Sequence, residues 1–170
     1  MGDRKIGAII LAAGLSTRMG EFKPLLPIGS KTLLGHAISL FQQNDIDDIV
    51  VVTGHRSGDL QQELERYPCR PVLNVNFTDG MFSSLQVGVE TLDSANQAFF
   101  LLPVDIPLVQ QETICKLIEA MDQDPQALVF YPEYQTRRGH PPLIRRDLAA
   151  AILSFAEQGG LRTLFSRYHQ

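Results

Sequence analysis

The run Ile6-Gly7-Ala8-Ile9-Ile10-Leu11 carries no polar side chain and empties abruptly into Ala12-Ala13-Gly14-Leu15-Ser16-Thr17-Arg18-Met19-Gly20, continuing through Glu21 and Phe22 to Lys23-Pro24. A short, isoleucine-rich run of this kind predicts a buried parallel strand over residues 5–11, because such strands are covered on both faces and read as continuous apolar stretches. The connection that follows brings in two alanines, two glycines, two hydroxyls and two cations. Backbone N–H groups reach an anion only where side chains are small, and Arg18 and Lys23 can neutralise charge that collects there. An ordinary strand-to-helix link is the alternative, but the length of this one and its paired cations favour anion binding. Two familiar phosphate motifs are absent. Gly14 and Gly20 do not form GxGxxG, and Gly29-Ser30-Lys31-Thr32 has a serine too many for the tail of a Walker A loop, which leaves Lys31 and Thr32 as helix-start residues.

Beyond the loop, helical and strand patterns alternate. Leu33, Leu34, Ala37, Ile38, Leu40 and Phe41 recur at helical spacing within Thr32–Gln43. Asp48–Thr53 reads as a strand, Gly54–Gly58 as a turn, and an amphipathic helix runs from there to about Arg66. Val72–Val75 is a third short strand, Asn76–Gly80 a loop and Met81–Leu92 a helix. Ala98–Leu102 is the most apolar run of the second half and predicts a central strand, followed by Pro103-Val104-Asp105-Ile106-Pro107. A helix over Gln111–Met121, a strand over Ala127–Tyr131, a loop at Arg137–Pro141, an extended Pro142–Ile144 and helical patterns to the end complete the chain. This alternation predicts an α/β fold with a mostly parallel sheet and helices on both faces, in one domain spanning 1–170. At 170 residues, a chain that is 44% hydrophobic can bury a full core without staples.

A net charge of −4 argues against general nucleic-acid binding, which needs a basic face. Cys69 and Cys115 lie far apart without metal-ligand spacing, so they are expected as buried, reduced thiols. No segment approaches the ~20 apolar residues of a membrane span, and the expected location is the cytoplasm.

Two further stations carry chemistry. Asp105, bracketed by prolines after an apolar strand, belongs at the carboxyl edge of the sheet, where open α/β folds bind ligands. It suits a Mg²⁺ that also holds phosphate oxygens, or it caps the following helix. Arg137-Arg138-Gly139-His140-Pro141 suits an anionic substrate, with His140 able to donate a hydrogen bond or exchange a proton; solvated surface charge is the other reading. His36, His55 and His169 read as ordinary helix, turn and terminal residues.

With these residues in view, Leu11-Ala-Ala-Gly-Leu-Ser-Thr-Arg-Met-Gly-Glu-Phe-Lys23 resembles the LAAGxSxRMGxxK signature of the MobA-like nucleotidyltransferases, most closely the molybdenum cofactor cytidylyltransferases. Asn74 with Phe77 and Gly80-Met81-Phe82-Ser83-Ser84-Leu85 resembles the family's N-x-x-aromatic and GMxxSL elements, Pro103–Pro107 its PxDxP and Arg138–Pro141 its RGHP. The resemblance implies a three-layer, Rossmann-like nucleotidyltransferase fold. It further implies that Leu11, Ala12, Ala13, Gly14, Asn74, Gly80 and Ser84 meet the nucleotide, Arg18 and Lys23 hold the triphosphate, Asp105 holds Mg²⁺, and Arg138 and His140 face the acceptor. The implied reaction is attack by the terminal phosphate of a molybdopterin-type acceptor on the α-phosphate of a nucleoside triphosphate, releasing pyrophosphate. The Ala-Ala-Gly loop points by resemblance to CTP, and a molybdoenzyme is the implied partner. Transfer to another phosphorylated acceptor such as a sugar phosphate, and a non-catalytic module that binds nucleotide or cofactor, are the alternatives. One departure keeps the last of these open: aligned on Arg162, Gln158 stands where the family's GDxGAR segment has its metal-holding Asp, and a neutral amide is a weaker Mg²⁺ ligand than a carboxylate. Glu157 substitutes, fewer ligands suffice, or transfer is lost.

Overall fold

The computed structural model describes residues 5–14, 22–156 and 159–168. In chain order the strands and helices are β1 (Ile6–Ala12), β2 (Pro27–Ile28), β3 (Lys31–Thr32), α1 (Leu33–Gln42), β4 (Asp48–Thr53), α2 (Ser57–Leu64), β5 (Arg70–Leu73), α3 (Met81–Thr91), β6 (Ala98–Pro103), α4 (Gln111–Gln123), β7 (Val129–Phe130), β8 (Glu133–Tyr134), β9 (Arg137–Arg138), β10 (Leu143–Arg145), α5 (Ala149–Ser154) and α6 (Gly160–Phe165). The central sheet has the order β5-β4-β1-β6-β10-β7. Strands β5, β4, β1 and β6 run parallel, whereas β10 pairs antiparallel with both β6 and β7.

The apolar runs become the middle of this sheet because alternate side chains serve both layers. Ala8, Ile10 and Ala12 join a core with Leu34 and Phe41 of α1, Leu60 of α2 and Leu117 of α4. Ile9, Leu11 and Ala13 join the opposite core, with Leu85 and Val89 of α3, Ile152 of α5 and Phe165 of α6. The predicted three-layer α/β arrangement is the observed one. Each fully buried Ile, Leu or Phe contributes about 1.5–3 kcal/mol. Gly88 brings α3 hard against β1, since a Cβ there would lie 2.5 Å from Ile9 Cγ2. The start of α3 is thereby aimed at the carboxyl end of β1. Register finishes the job: Leu11 lies opposite Pro103 and Ala12 opposite Thr53, so three strands end level at one edge.

Three expectations are corrected and a fourth is carried further. Strand β5 covers Arg70–Leu73, and Asn74 and Val75 fall beyond it. The 127–131 strand is trimmed to Val129–Phe130. The segment expected only as extended over Pro142–Ile144 becomes a full member of the sheet over Leu143–Arg145, inserted between β6 and β7. Cys115 is exposed on α4 and Cys69 only partly buried, so the two are not core thiols. No described helix is long and apolar enough to cross a membrane.

At the amino edge, the Asp48 carboxylate accepts from Arg70, from the Asp93 N–H at 3.0 Å and from Asn96 Nδ2 at 2.5 Å. One side chain thus ties β4 to β5 and to the α3–β6 connection. Asp48→Ala is expected to lower unfolding free energy by about 2 kcal/mol in a urea titration, because it strands partly buried donors.

Candidate functional site

Small side chains at the end of β1 leave a cavity of about 370 Å³. Leu11, Ala12, Ala13 and Gly14 line it from the strand side, and Gly80, Met81 and Ser84 from the start of α3. Lys23, Asp105 and Phe77 are also part of the lining. The α3 N-terminus arrives here through Gly80, whose φ of +96° is strained for any residue with a side chain. No side chain caps this helix start, so first-turn N–H groups and the positive end of the helix dipole lie at the cavity.

Lys23 and Asp105, 82 residues apart, meet with Nζ 3.2 Å from Oδ2. Their side chains are 30% and 47% exposed, so the pair is worth at most about 1 kcal/mol to stability. Both charges remain within reach of a ligand. The capping alternative for Asp105 fails, since α4 begins only at Gln111 and its N-cap is Gln110.

Asn74 stands behind the lining of the smaller cavity, bonded to Ser84, which lines it. It is buried, its Nδ2 donating to Ser83 Oγ and Ser84 Oγ at 2.9 Å each while its Oδ1 accepts the Asn76 N–H at 2.9 Å. It does not line the cavity; it ties the 76–80 turn to the first turn of α3.

Arg138 and His140 line a second, larger cavity of about 1310 Å³ between α3, α6 and the β8–β9 hairpin. Met81 borders both cavities. The Arg138 guanidinium lies 4.8 Å over the Tyr131 ring. Burial pushes the Tyr131 phenol above its ordinary pKa although Arg138 works against this, so the hydroxyl stays neutral. His140 Nδ1 is buried with no partner among the described residues. Burial lowers the His140 pKa, while a backbone hydrogen bond at Leu101 and the charge of Asp105 oppose the shift. A third hollow, of about 550 Å³, has both Asp105 and His140 on its lining and so joins the two stations.

Phe77 and Met81, quoted above within the family elements, line the smaller cavity, whereas Arg162 had no site role in the sequence reading. Arg162 lines the larger cavity; its signal was a cation two residues after the Gly159-Gly160 pair. Arg18, Glu157, Gln158 and His169 lie outside the described residues. Among the described residues no three His, Cys, Asp or Glu side chains converge on one point. The half-exposed Asp105 carboxylate at the cavity still fits Mg²⁺, which retains several waters and takes substrate oxygens.

Known proteins resemble this chain in sequence and in fold. The bifunctional protein GlmU of Psychrobacter arcticus is 31% identical over 158 residues, covering 90% of this chain and 34% of that protein. The chain therefore spans about a third of the length of the curated relatives it matches. The crystal structure of Rv0371c from Mycobacterium tuberculosis superposes with a TM-score of 0.82 at 23% identity, over 95% of this chain and 82% of that one; the same protein has also been solved with manganese. A CMP:2-keto-3-deoxy-manno-octonic acid synthetase solved with CTP gives a TM-score of 0.75 at 15% identity, over 96% of this chain and 83% of that one. The family of MobA-like NTP transferase domains matches residues 8–170, and this chain belongs to it.

Proposed function

We propose that the chain transfers a nucleoside monophosphate, CMP from CTP, to the terminal phosphate of a molybdopterin-type acceptor and releases pyrophosphate. The observation that carries this reading is the Lys23–Asp105 pair at a cavity built of small residues, next to a larger cavity that combines Arg138, Arg162 and His140 with Tyr131, Phe82 and Phe155. Cations with aromatic faces suit an acceptor that is both anionic and planar.

The chemistry needs no protein nucleophile. An acceptor phosphate oxygen forms a bond to the α-phosphorus while the bond to the bridging oxygen of the β-phosphate breaks, and the electron pair leaves with pyrophosphate. The acceptor is already ionised at neutral pH, so the protein supplies alignment and charge neutralisation. Lys23 exchanges Asp105 for triphosphate oxygens, and the α3 N-terminus offers N–H groups from the other side. Asp105, released, would hold Mg²⁺, which neutralises charge on the phosphate oxygens. The neutral His140 imidazole and Arg138 orient the acceptor from the larger cavity, and a molybdoenzyme receives the product.

The test offers each of the four nucleoside triphosphates with Mg²⁺ and molybdopterin to purified protein and reads pyrophosphate. Release with CTP is expected; no release with any of the four defeats the reading. A second reading, transfer to a sugar-type acceptor, draws support from the fold shared with the CMP:2-keto-3-deoxy-manno-octonic acid synthetase. Release with a sugar phosphate and none with molybdopterin would establish it.

His140 adds a pH prediction. Its folded pKa lies below the ordinary imidazole value of 6.5, so the unfolded chain binds protons more readily. Stability from this group is complete above about pH 6.5 and declines as pH falls toward the folded pKa. Urea unfolding of His140→Gln is expected to lose stability less steeply than the natural chain between about pH 7 and pH 5. Equal slopes would show that the imidazole is not desolvated.

A further inference from the structure

The turn after β4 touches the chain just before residue 15 and just after residue 21. On one side, the His55 N–H approaches the Ala13 carbonyl at 3.4 Å, and Gly54 lies so close that a Cβ would sit 2.9 Å from Ala13 Cβ. On the other, the Arg56 guanidinium stacks over the Phe22 ring, 4.7 Å from its centroid. Phe22 is buried against the α1 and α2 core and directly precedes Lys23, with its carbonyl accepting the Leu25 N–H of the following turn at 3.1 Å. The guanidinium is held in turn by Asp59 in the first turn of α2, through Nε to Oδ2 at 2.5 Å. Arg56 itself adopts φ 57°, ψ 36°. A side chain persists in this left-handed region only where its surroundings demand it.

We propose that Arg56 is a positioning residue: its stack on Phe22, locked by Asp59, fixes where Lys23 stands relative to Asp105. The planar face of the guanidinium, more than its charge, does the holding. Only the kinetic arm of the test rests on the proposed transfer function.

Arg56→Gly removes the side chain without straining the turn, because glycine adopts this backbone freely. Arg56→Lys keeps the charge and loses the plane. Both are expected to lower kcat about tenfold, since small displacements of an aligned group weaken transfer, with KM for the triphosphate changing less than about threefold. Arg56→Gly combined with Phe22→Leu should cost no more than the larger single change. Rescue by lysine, or multiplied losses, would mean that Arg56 acts directly as a charge and would overturn the proposal. Without nucleotide, the ε-methylene NMR signal of Lys23, assigned through Lys23→Arg, is expected to move on Asp105→Asn in the natural chain and to lose that response in the Arg56→Gly background. An unchanged response overturns the proposal. Absence of turnover in the natural protein would defeat the transfer reading while leaving this second readout decisive.

Discussion

Lys23→Ala is expected to lower nucleotide transfer by about 10²-fold or more, with unfolding free energy changed by less than about 1 kcal/mol. The asymmetry follows from exposure. With 30% of Lys23 and 47% of Asp105 in solvent, their mutual attraction is screened, and losing it barely alters the folded state. In the proposed transfer the same ammonium would face charge building on the triphosphate, where a missing cation is not replaced. Asp105→Asn keeps the side-chain shape and should lose turnover to a similar degree, while raising the Mg²⁺ concentration needed for half-maximal rate. Single-turnover kinetics with saturating CTP, alongside urea unfolding of each variant, separate the two effects. Wild-type rates in Lys23→Ala would remove this residue from the phosphate site.

The second large effect is expected at Gly54. A Cβ at this position would lie 2.7 Å from Phe77 Cβ, 2.9 Å from Ala13 Cβ and 3.0 Å from the Ala13 carbonyl oxygen. None of these atoms is the free end of a flexible side chain, so Gly54→Ala must push the ends of β4 and β1 apart. A stability loss of about 2 kcal/mol is expected for such overpacking. Ala13 and Phe77 both line the smaller cavity, so nucleotide affinity should fall with it, by about tenfold if the loss equals ~1.4 kcal/mol of binding. Gly58→Ala is the control. Its Cβ meets nothing within 4 Å in α2, and replacing a helical glycine should stabilise by roughly 0.5–1 kcal/mol without touching the cavity. Denaturant titration and a nucleotide-binding isotherm read both variants.

Much of the fold was legible because buried parallel strands announce themselves. Ile6–Leu11 and Ala98–Leu102 are apolar throughout, and they occupy the middle of the sheet side by side. The α1 pattern was equally clear: all six of its predicted apolar positions are buried. The sequence marked Pro142–Ile144 only as extended; that Leu143–Arg145 becomes a member of the sheet depends on β6 and β7 presenting open edges on either side. The exposure of Cys115 depends on the rotation of α4 against the sheet, and its spacing from Cys69 carries no trace of that. Asn74 shows the same limit at the candidate site. A motif places it near the nucleotide, but whether its amide meets ligand or backbone depends on where Ser83 and Ser84 stand. The contact of Arg56 with Phe22 joins residues with no shared motif.

The sequence by itself determined the class of fold, the loop of small residues and the cationic and acidic residues available to it, because hydrophobic period and turn chemistry are local properties. Only the tertiary structure decided that Lys23 and Asp105 meet. It likewise separated the lining of the smaller cavity from that of the larger, and turned Asn74 inward. Those outcomes depend on strand register and on how closely α3 and the β4 turn approach β1, distances set by packing across the whole sheet that no stretch of the chain encodes alone.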